Sequence, residues 1–119
     1  MILLDTYAWV WLLDDPTRLP GDTLDRIETE DLVAVSTISC WEIAMLCAKG
    51  RVGLSRLLDA WIEQIRQAPR YEFIPLSLEA AKLVGGTQID WPHGDPSDRM
   101  IVATAIDLDI PLVTADRQI

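Results

Sequence analysis

Short apolar runs alternate along the chain with longer segments in which apolar residues recur at helical spacing. The runs predict β-strands at MILLD (1–5), LVAVS (32–36), YEFIP (71–75) and IPLVT (110–114). The segments between them predict helices over 6–15, 21–31, 39–50, 55–67, 77–86 and 95–108. Because strands that alternate with helices form parallel sheets, the pattern predicts an α/β fold with helices on both faces of the sheet.

Length and composition indicate one domain. The 119 residues are enough for a single core, and we expect that domain to span residues 1–119. Half of the residues are hydrophobic, which predicts some exposed apolar surface for a partner. No run reaches the roughly 18 apolar residues of a membrane span, and the apolar N-terminus lacks the basic leader of a signal peptide. The expected location is therefore the cytoplasm, with no membrane partner.

The two cysteines predict neither a disulfide nor a zinc site. Cys40 and Cys47 fall on one predicted helix, about 10 Å apart, which is too far for a disulfide within that helix. A single histidine and the absence of a CxxC pair argue against structural zinc. Both cysteines are expected to be buried free thiols.

Four acidic residues are expected at one edge of the sheet. Asp5 ends the first strand, and Asp116 follows the last strand just after Thr114. Glu42 and Asp98 are each placed in the first turn of the helix that begins at the same edge. In parallel sheets the strand C-termini and the N-termini of the following helices share this edge, where ligands bind.

Charge balance favours a bound cation at that edge. The formal net charge is −9, with 19 acidic and 10 basic residues, so converging acids have few basic partners. Glu42 and Asp98 also precede inward-facing apolar stripes, where an uncompensated carboxylate is costly. Mg²⁺ or Mn²⁺ would relieve this conflict. A basic surface for nucleic acid is absent, so a cation would also be needed to offset repulsion from RNA or DNA.

Each acid also has a structural explanation. Ser39 and Glu42 match a capping box, an alternative at least as strong as a functional role for Glu42. Asp5 would cap the first helix, and Asp116 would form an Asx-turn. Taken singly, each acid is therefore weak support for a site, and their shared edge carries the prediction.

Residues around the last helix have divided interpretations. Asp95, which precedes a proline, is assigned mainly to capping that helix, and Asp98 to chemistry. Trp91 would stack a base or, more favourably, hold the loop against the core. His93 is expected to be a solvated loop residue or a hydrogen-bond donor rather than a metal ligand.

Four segments, LLDTYAWVW, VSTISCWEIA, HGDPSDRMIVATA and LVTADRQI, resemble PIN-domain proteins, specifically the VapC-type toxin ribonucleases of bacterial toxin–antitoxin pairs. The resemblance implies a three-layer α/β/α fold with a central parallel sheet of four to five strands. It implies a metal-dependent endoribonuclease that forms homodimers and is inhibited by a small antitoxin protein. The chain stops soon after Asp116, where relatives continue into a short final strand, so the domain would lack that strand.

The same resemblance places the family's acidic set on Asp5, Glu42, Asp98 and Asp116, with Thr114 orienting Asp116 or a metal-bound water. The resulting hypothesis is metal-assisted hydrolysis of RNA phosphodiester bonds. Asp5 and Asp98 are the expected direct ligands, while Glu42 and Asp116 would bind a second ion or orient water.

Two arginines beside these acids are candidate RNA contacts. Arg99 and Arg117 would contact backbone phosphates, with a surface ion pair as an equal alternative.

Other functions remain to be weighed against the nuclease. A non-catalytic module would use the same acidic groove to bind a basic partner peptide. A phosphoacceptor receiver domain needs paired acids after the first strand and a lysine after the last, whereas this chain has Asp5-Thr6 and Ala115-Asp116 there. A phosphatase with a DxD motif is disfavoured because Tyr7 occupies the position of the second acid.

Overall fold

The computed structural model describes residues 1–50, 55–87, 89–91 and 95–114, and only the backbone of residues 55–57. The strands are β1 (Ile2–Leu4), β2 (Val33–Ser36), β3 (Tyr71–Ile74) and β4 (Leu112–Val113). The helices are α1 (Thr6–Asp14), α2 (Gly21–Thr29), α3 (Thr37–Ala48), α4 (Ser55–Gln67), α5 (Leu78–Gly85) and α6 (Pro96–Leu108), with a 3-10 turn at Pro16–Arg18. Within those ranges, no helix has the length and apolar character needed to cross a bilayer.

The four strands form one parallel sheet in the order β3-β2-β1-β4. In the centre of the sheet, Leu3 of β1 lies opposite Ala34 of β2 on one side and Leu112 of β4 on the other. The prediction of a parallel α/β fold is confirmed. Since all strands point the same way, the C-terminal ends of β1, β2 and β4 meet at one edge, where α1 and α3 also begin.

Each face of the sheet has its own core. Ile2 and Leu4 face the larger core, which is covered by residues of α1, α2, α3 and α4. Leu3 and Ala34 point the other way and pack against Ile101 of α6. This division follows from the two-residue period of a strand, which sends successive side chains to opposite faces.

Trp9 of α1 lies at the centre of the larger core. It is fully buried, and its ring meets the rings of Trp61 and Phe73 edge-on, with centroids 6.1 and 5.8 Å away. Edge-to-face packing of this kind adds to the stabilisation from buried area. Trp9 is therefore a core residue of α1, whereas Tyr7 on the same helix is 47% exposed.

The start of α3 differs from the prediction. The helix begins at Thr37 because the Ser36 hydroxyl accepts a hydrogen bond from the Ile38 N–H at 3.0 Å, which makes Ser36 the N-cap. The capping box of Ser39 and Glu42 was therefore wrong, and so was the first-turn position of Glu42. Ser39 is an interior helical residue, and Glu42 lies in the second turn.

Both cysteines lie on α3, are half-buried and are free. The prediction of free thiols is confirmed, although burial is partial. Desolvation raises the pKa of the Cys40 thiol to about 11, so this group stays protonated near neutral pH. Cys40 is therefore a packing residue rather than a reactive one.

Arg70 connects the end of α2 to the sheet, a role that the sequence analysis missed. Its Nη1 donates to the backbone oxygens of Ile27, Glu28 and Glu30 at 3.1, 3.0 and 2.7 Å. These carbonyls belong to the C-terminal end of α2, where intrahelical donors run out. One side chain thus provides hydrogen bonds to three backbone carbonyls at that helix end.

Replacing Arg70 by methionine removes these donors while keeping an extended apolar stem. We expect Arg70→Met to lower the free energy of unfolding by about 1–3 kcal/mol, because carbonyls at the helix end lose their partner. Urea denaturation measures the change. The control is Arg26→Met, which removes an exposed ion pair with Glu30 and should lower stability much less. Equal losses in the two variants would contradict the capping role.

Candidate active site

Three carboxylates come together beside the C-terminal edge of the sheet. We call Glu42, Asp95 and Asp98 the carboxylate cluster, since one oxygen from each lies within 4.8 Å of the others. Glu42 comes from α3, whereas Asp95 and Asp98 belong to the start of α6. Oxygens that share one Mg²⁺ lie at most roughly 4.2 Å apart. The cluster therefore needs only a small adjustment to hold one cation.

Asp95 has two roles in this geometry. Its Oδ1 accepts the Ser97 N–H at 3.0 Å and caps α6, with Pro96 as the first helical residue. The predicted capping role is confirmed. The same carboxylate also belongs to the cluster, and the assignment of chemistry to Asp98 stays a prediction.

Two hydroxyls hold the carboxylate of Glu42. Thr6, the first residue of α1, donates to Oε1, and Ser97 donates to Oε2 at 3.0 Å. Both residues are at least 95% buried, and Ser39 lies 3.0 Å from the Thr6 hydroxyl. Glu42 is therefore fixed between α1 and α6, which come from distant parts of the chain.

The Ser97 hydroxyl lies between two carboxylates. Its Oγ is 2.8 Å from Asp95 Oδ1 and 3.0 Å from Glu42 Oε2, yet a hydroxyl has one proton to donate. Because Asp95 Oδ1 already accepts a hydrogen bond from the Ser97 N–H, we assign the hydroxyl proton to Glu42 Oε2. The described residues include no lysine or arginine that pairs with Glu42 or Asp95. Their mutual repulsion favours a cation at this point.

Asp5 is buried beside the cluster without belonging to it. It is 4% exposed, and its Oδ1 accepts the Ala8 N–H at 2.8 Å, so it caps α1. Its Oδ2 accepts a hydrogen bond from Thr114, which joins the ends of β1 and β4. The next residue, Thr6, donates a hydrogen bond to Glu42, so Asp5 is adjacent in sequence to a residue that contacts the cluster.

The remaining predicted residues fall into two groups. Arg99 lies over the ring of half-buried Trp91, 5.8 Å from its centroid, and both interpretations of Trp91 stay predictions. Asp116, Arg117 and His93 lie outside the described residues, so their roles stay predictions.

A cleft of about 600 Å³ adjoins the cluster. Glu42 and Asp95 line one part of it, and Trp41, Met45 and Met100 line another. Trp41 is 55% exposed. This apolar wall was not predicted from the sequence, although the helical spacing of Trp41 and Met45 places both on one face of α3.

Comparison with known proteins places this architecture in a family. The family model described as "PIN domain" matches residues 2–119. Ribonuclease VapC22 of Mycobacterium tuberculosis is 34% identical over 118 residues, which cover 99% of this chain and 88% of the relative.

Solved structures share the fold. VapBC2 from Rickettsia felis, bound to a DNA fragment from its promoter, matches with a TM-score of 0.66 at 20% identity, over 98% of this chain and 89% of that one. A toxin–antitoxin complex from Klebsiella pneumoniae gives 0.63 at 19% identity, over 98% and 87%. FitAcB from Neisseria gonorrhoeae gives 0.59 at 24% identity, over 98% and 88%. As the sequence motifs indicated, the chain belongs to the PIN-domain family and is a VapC-type member of it.

Proposed function

We propose that the chain is an endoribonuclease that depends on Mg²⁺ or Mn²⁺ and acts in the cytoplasm as the toxin of a toxin–antitoxin pair. The carboxylate cluster carries this proposal, because it places three oxygen ligands at the sheet edge where α/β proteins bind their ligands. The relationship to a protein named as a ribonuclease supplies the substrate class.

The residues of the cluster fit a hard divalent cation. All three ligands are carboxylates, the donors that Mg²⁺ and Mn²⁺ prefer. The hydroxyls of Thr6 and Ser97 orient Glu42 from behind, as outer-shell partners do in metal sites. A bound cation would polarise the scissile phosphodiester and lower the pKa of an attacking water.

The chain's own residues would then have separate tasks. Glu42, Asp95 and Asp98 would hold the ion. Asp98 is also one of the ligands proposed from the sequence. Asp5 and Asp116 complete that set as further proposed acids, with Asp5 kept in place by Thr114. Water and substrate phosphate would supply the other oxygen ligands, because Mg²⁺ is usually bound by only a few carboxylates.

Removing one charge from the cluster should stop cleavage without unfolding the protein. Asp98→Asn and Glu42→Gln should each lower kcat by more than the roughly 10- to 100-fold that outer-shell changes cost. The measurement is Mn²⁺-dependent cleavage of labelled single-stranded RNA, with folding checked by circular dichroism. Asp109→Asn is the matched control, since Asp109 ends the same helix in the left-handed conformation (φ 54°) that asparagine also tolerates.

A folded Asp98→Asn variant with wild-type cleavage would refute this assignment. If the wild type cleaves no RNA with any divalent ion yet binds basic peptides tightly, the chain is instead a non-catalytic acidic-groove module.

Ser97 should act through Glu42 rather than on the substrate. Ser97→Ala should weaken Mn²⁺ binding about 10- to 100-fold, measured by electron paramagnetic resonance. Ser77→Ala is the control, because the Ser77 hydroxyl likewise donates to a carboxylate (Asp107, 2.8 Å), but outside the cluster; it also accepts the Ala80 N–H as the cap of α5. The control should lose stability with Mn²⁺ affinity unchanged. Equal Mn²⁺ affinity in both variants would contradict a role of Ser97 in the cation site.

The proposed partners are a cognate antitoxin protein and a second copy of the chain in a homodimer. Expression of the chain alone should arrest bacterial growth, and co-expression of a small open reading frame adjacent to its gene should restore growth. The Asp98→Asn variant is the control and should not arrest growth. Normal growth with wild-type protein at the same expression level would count against a toxin.

A further inference from the structure

We propose that Trp41 stacks on an unpaired nucleobase that flanks the cleaved phosphodiester, and that this contact selects single-stranded RNA. The inference rests on the proposed ribonuclease function and adds a base-binding subsite to it. Three observations carry it: the position of the cleft, the exposure of Trp41 and the charge of the protein.

The cleft is continuous with the carboxylate cluster. Glu42, Asp95 and Ser97 line the same cavity of about 600 Å³ as Trp41. This volume lies within the roughly 300–1,000 Å³ of typical ligand clefts. A phosphodiester at the carboxylates would therefore place an adjoining base within reach of the apolar wall.

Trp41 differs from the other tryptophans of the chain. All five lie in described parts, and Trp41 alone is exposed, at 55% of its surface, whereas Trp9 and Trp61 are buried in the core. Its neighbours in the cleft include Met45, one helical turn along α3, and Met100 of α6. Methionine side chains adapt to ligands of different shape. The wall thus offers a flat ring beside flexible contacts, which suits a base without fixing its identity.

Charge explains why stacking is needed. With 10 basic against 19 acidic residues, the protein has few lysines and arginines with which to neutralise phosphates. Stacking on aromatic rings supplies affinity that tolerates any base sequence. Bases inside a duplex are already stacked on each other and are closed to such contact. The cleft therefore favours single-stranded RNA.

The test combines a protein change with a substrate change. The wild-type cleavage site is first mapped in a single-stranded transcript with Mn²⁺. Short RNAs that span this site are then made, either intact or with an abasic ribose in place of the nucleotide on one side of the cleaved bond. Trp41→Ala should lower kcat/KM for the intact RNA by about 5- to 150-fold, mainly through KM. Trp41→Phe should keep most of it. Leu78→Ala is the control, because Leu78 is 76% exposed on α5 and does not line the cleft.

The abasic substrate isolates the stacking contact. Removing the flanking base should cost the wild type a similar factor and cost Trp41→Ala little more. Equal additional losses in both proteins would overturn the proposal. The proposal would also be overturned if Trp41→Ala dissociated a dimer, as seen by light scattering, and lowered kcat/KM equally for intact and abasic RNA. The cleft would then be an interface between copies of the chain.

A binding measurement separates this inference from the ribonuclease proposal. Fluorescence anisotropy with Ca²⁺ and a non-cleavable, 2′-deoxy-substituted oligonucleotide does not depend on cleavage. If the wild type cleaves no RNA, the ribonuclease proposal fails, and weaker binding by Trp41→Ala still supports the stacking site. Unchanged binding by Trp41→Ala overturns the stacking site whether or not the wild type cleaves RNA.

Discussion

The site depends on holding three carboxylates close together at one end of the structure. Their mutual repulsion would drive them apart if they were on mobile segments. The fold prevents separation by placing Asp95 at the N-cap and Asp98 in the first turn of α6, where the helix dipole favours negative charge. Glu42 reaches them from α3 and is held by the hydroxyls of Thr6 and Ser97. Elements on both faces of the sheet therefore combine to position one small cluster.

The apolar part of α6 explains how acids can stand at its start. Ile101 is buried against Leu3 and Ala34 of the sheet, which fixes the helix in position and direction. Asp98 precedes Ile101 by three residues and so lies on the same face of the helix, one turn nearer its N-terminus. Core packing of the helix thus determines where this carboxylate lies. The hydrophobic run anchors α6 in the core, and this anchoring positions the acids at the start of the helix.

Sequence alone predicted the order of strands and helices, because hydrophobic periodicity is a local signal. The rule for parallel sheets then predicted which end collects the acids. The start of α3 was missed because Ser36, Thr37 and Ser39 are all acceptable caps, and only the direct run of β2 into the helix selects Ser36. The contact of Glu42 with Ser97 joins residues 55 positions apart and leaves no periodic trace in the sequence. The cluster was therefore foreseeable in place and in part of its membership, but its supporting hydroxyls were not.

A ribonuclease with a negative net charge must attract a phosphate at the same place where it cleaves RNA. In a protein with a net charge of −9, phosphate is repelled unless positive charge is brought in with it. A cation on the carboxylate cluster would provide that charge only at the reacting group, while an aromatic surface such as Trp41 would bind the neutral part of the nucleotide. The two contacts separate the roles of charge and stacking within one cleft. Nonspecific attraction elsewhere on the protein would add little to RNA affinity. Productive binding would therefore require the phosphate to reach the cation and the flanking base to reach Trp41 at the same time.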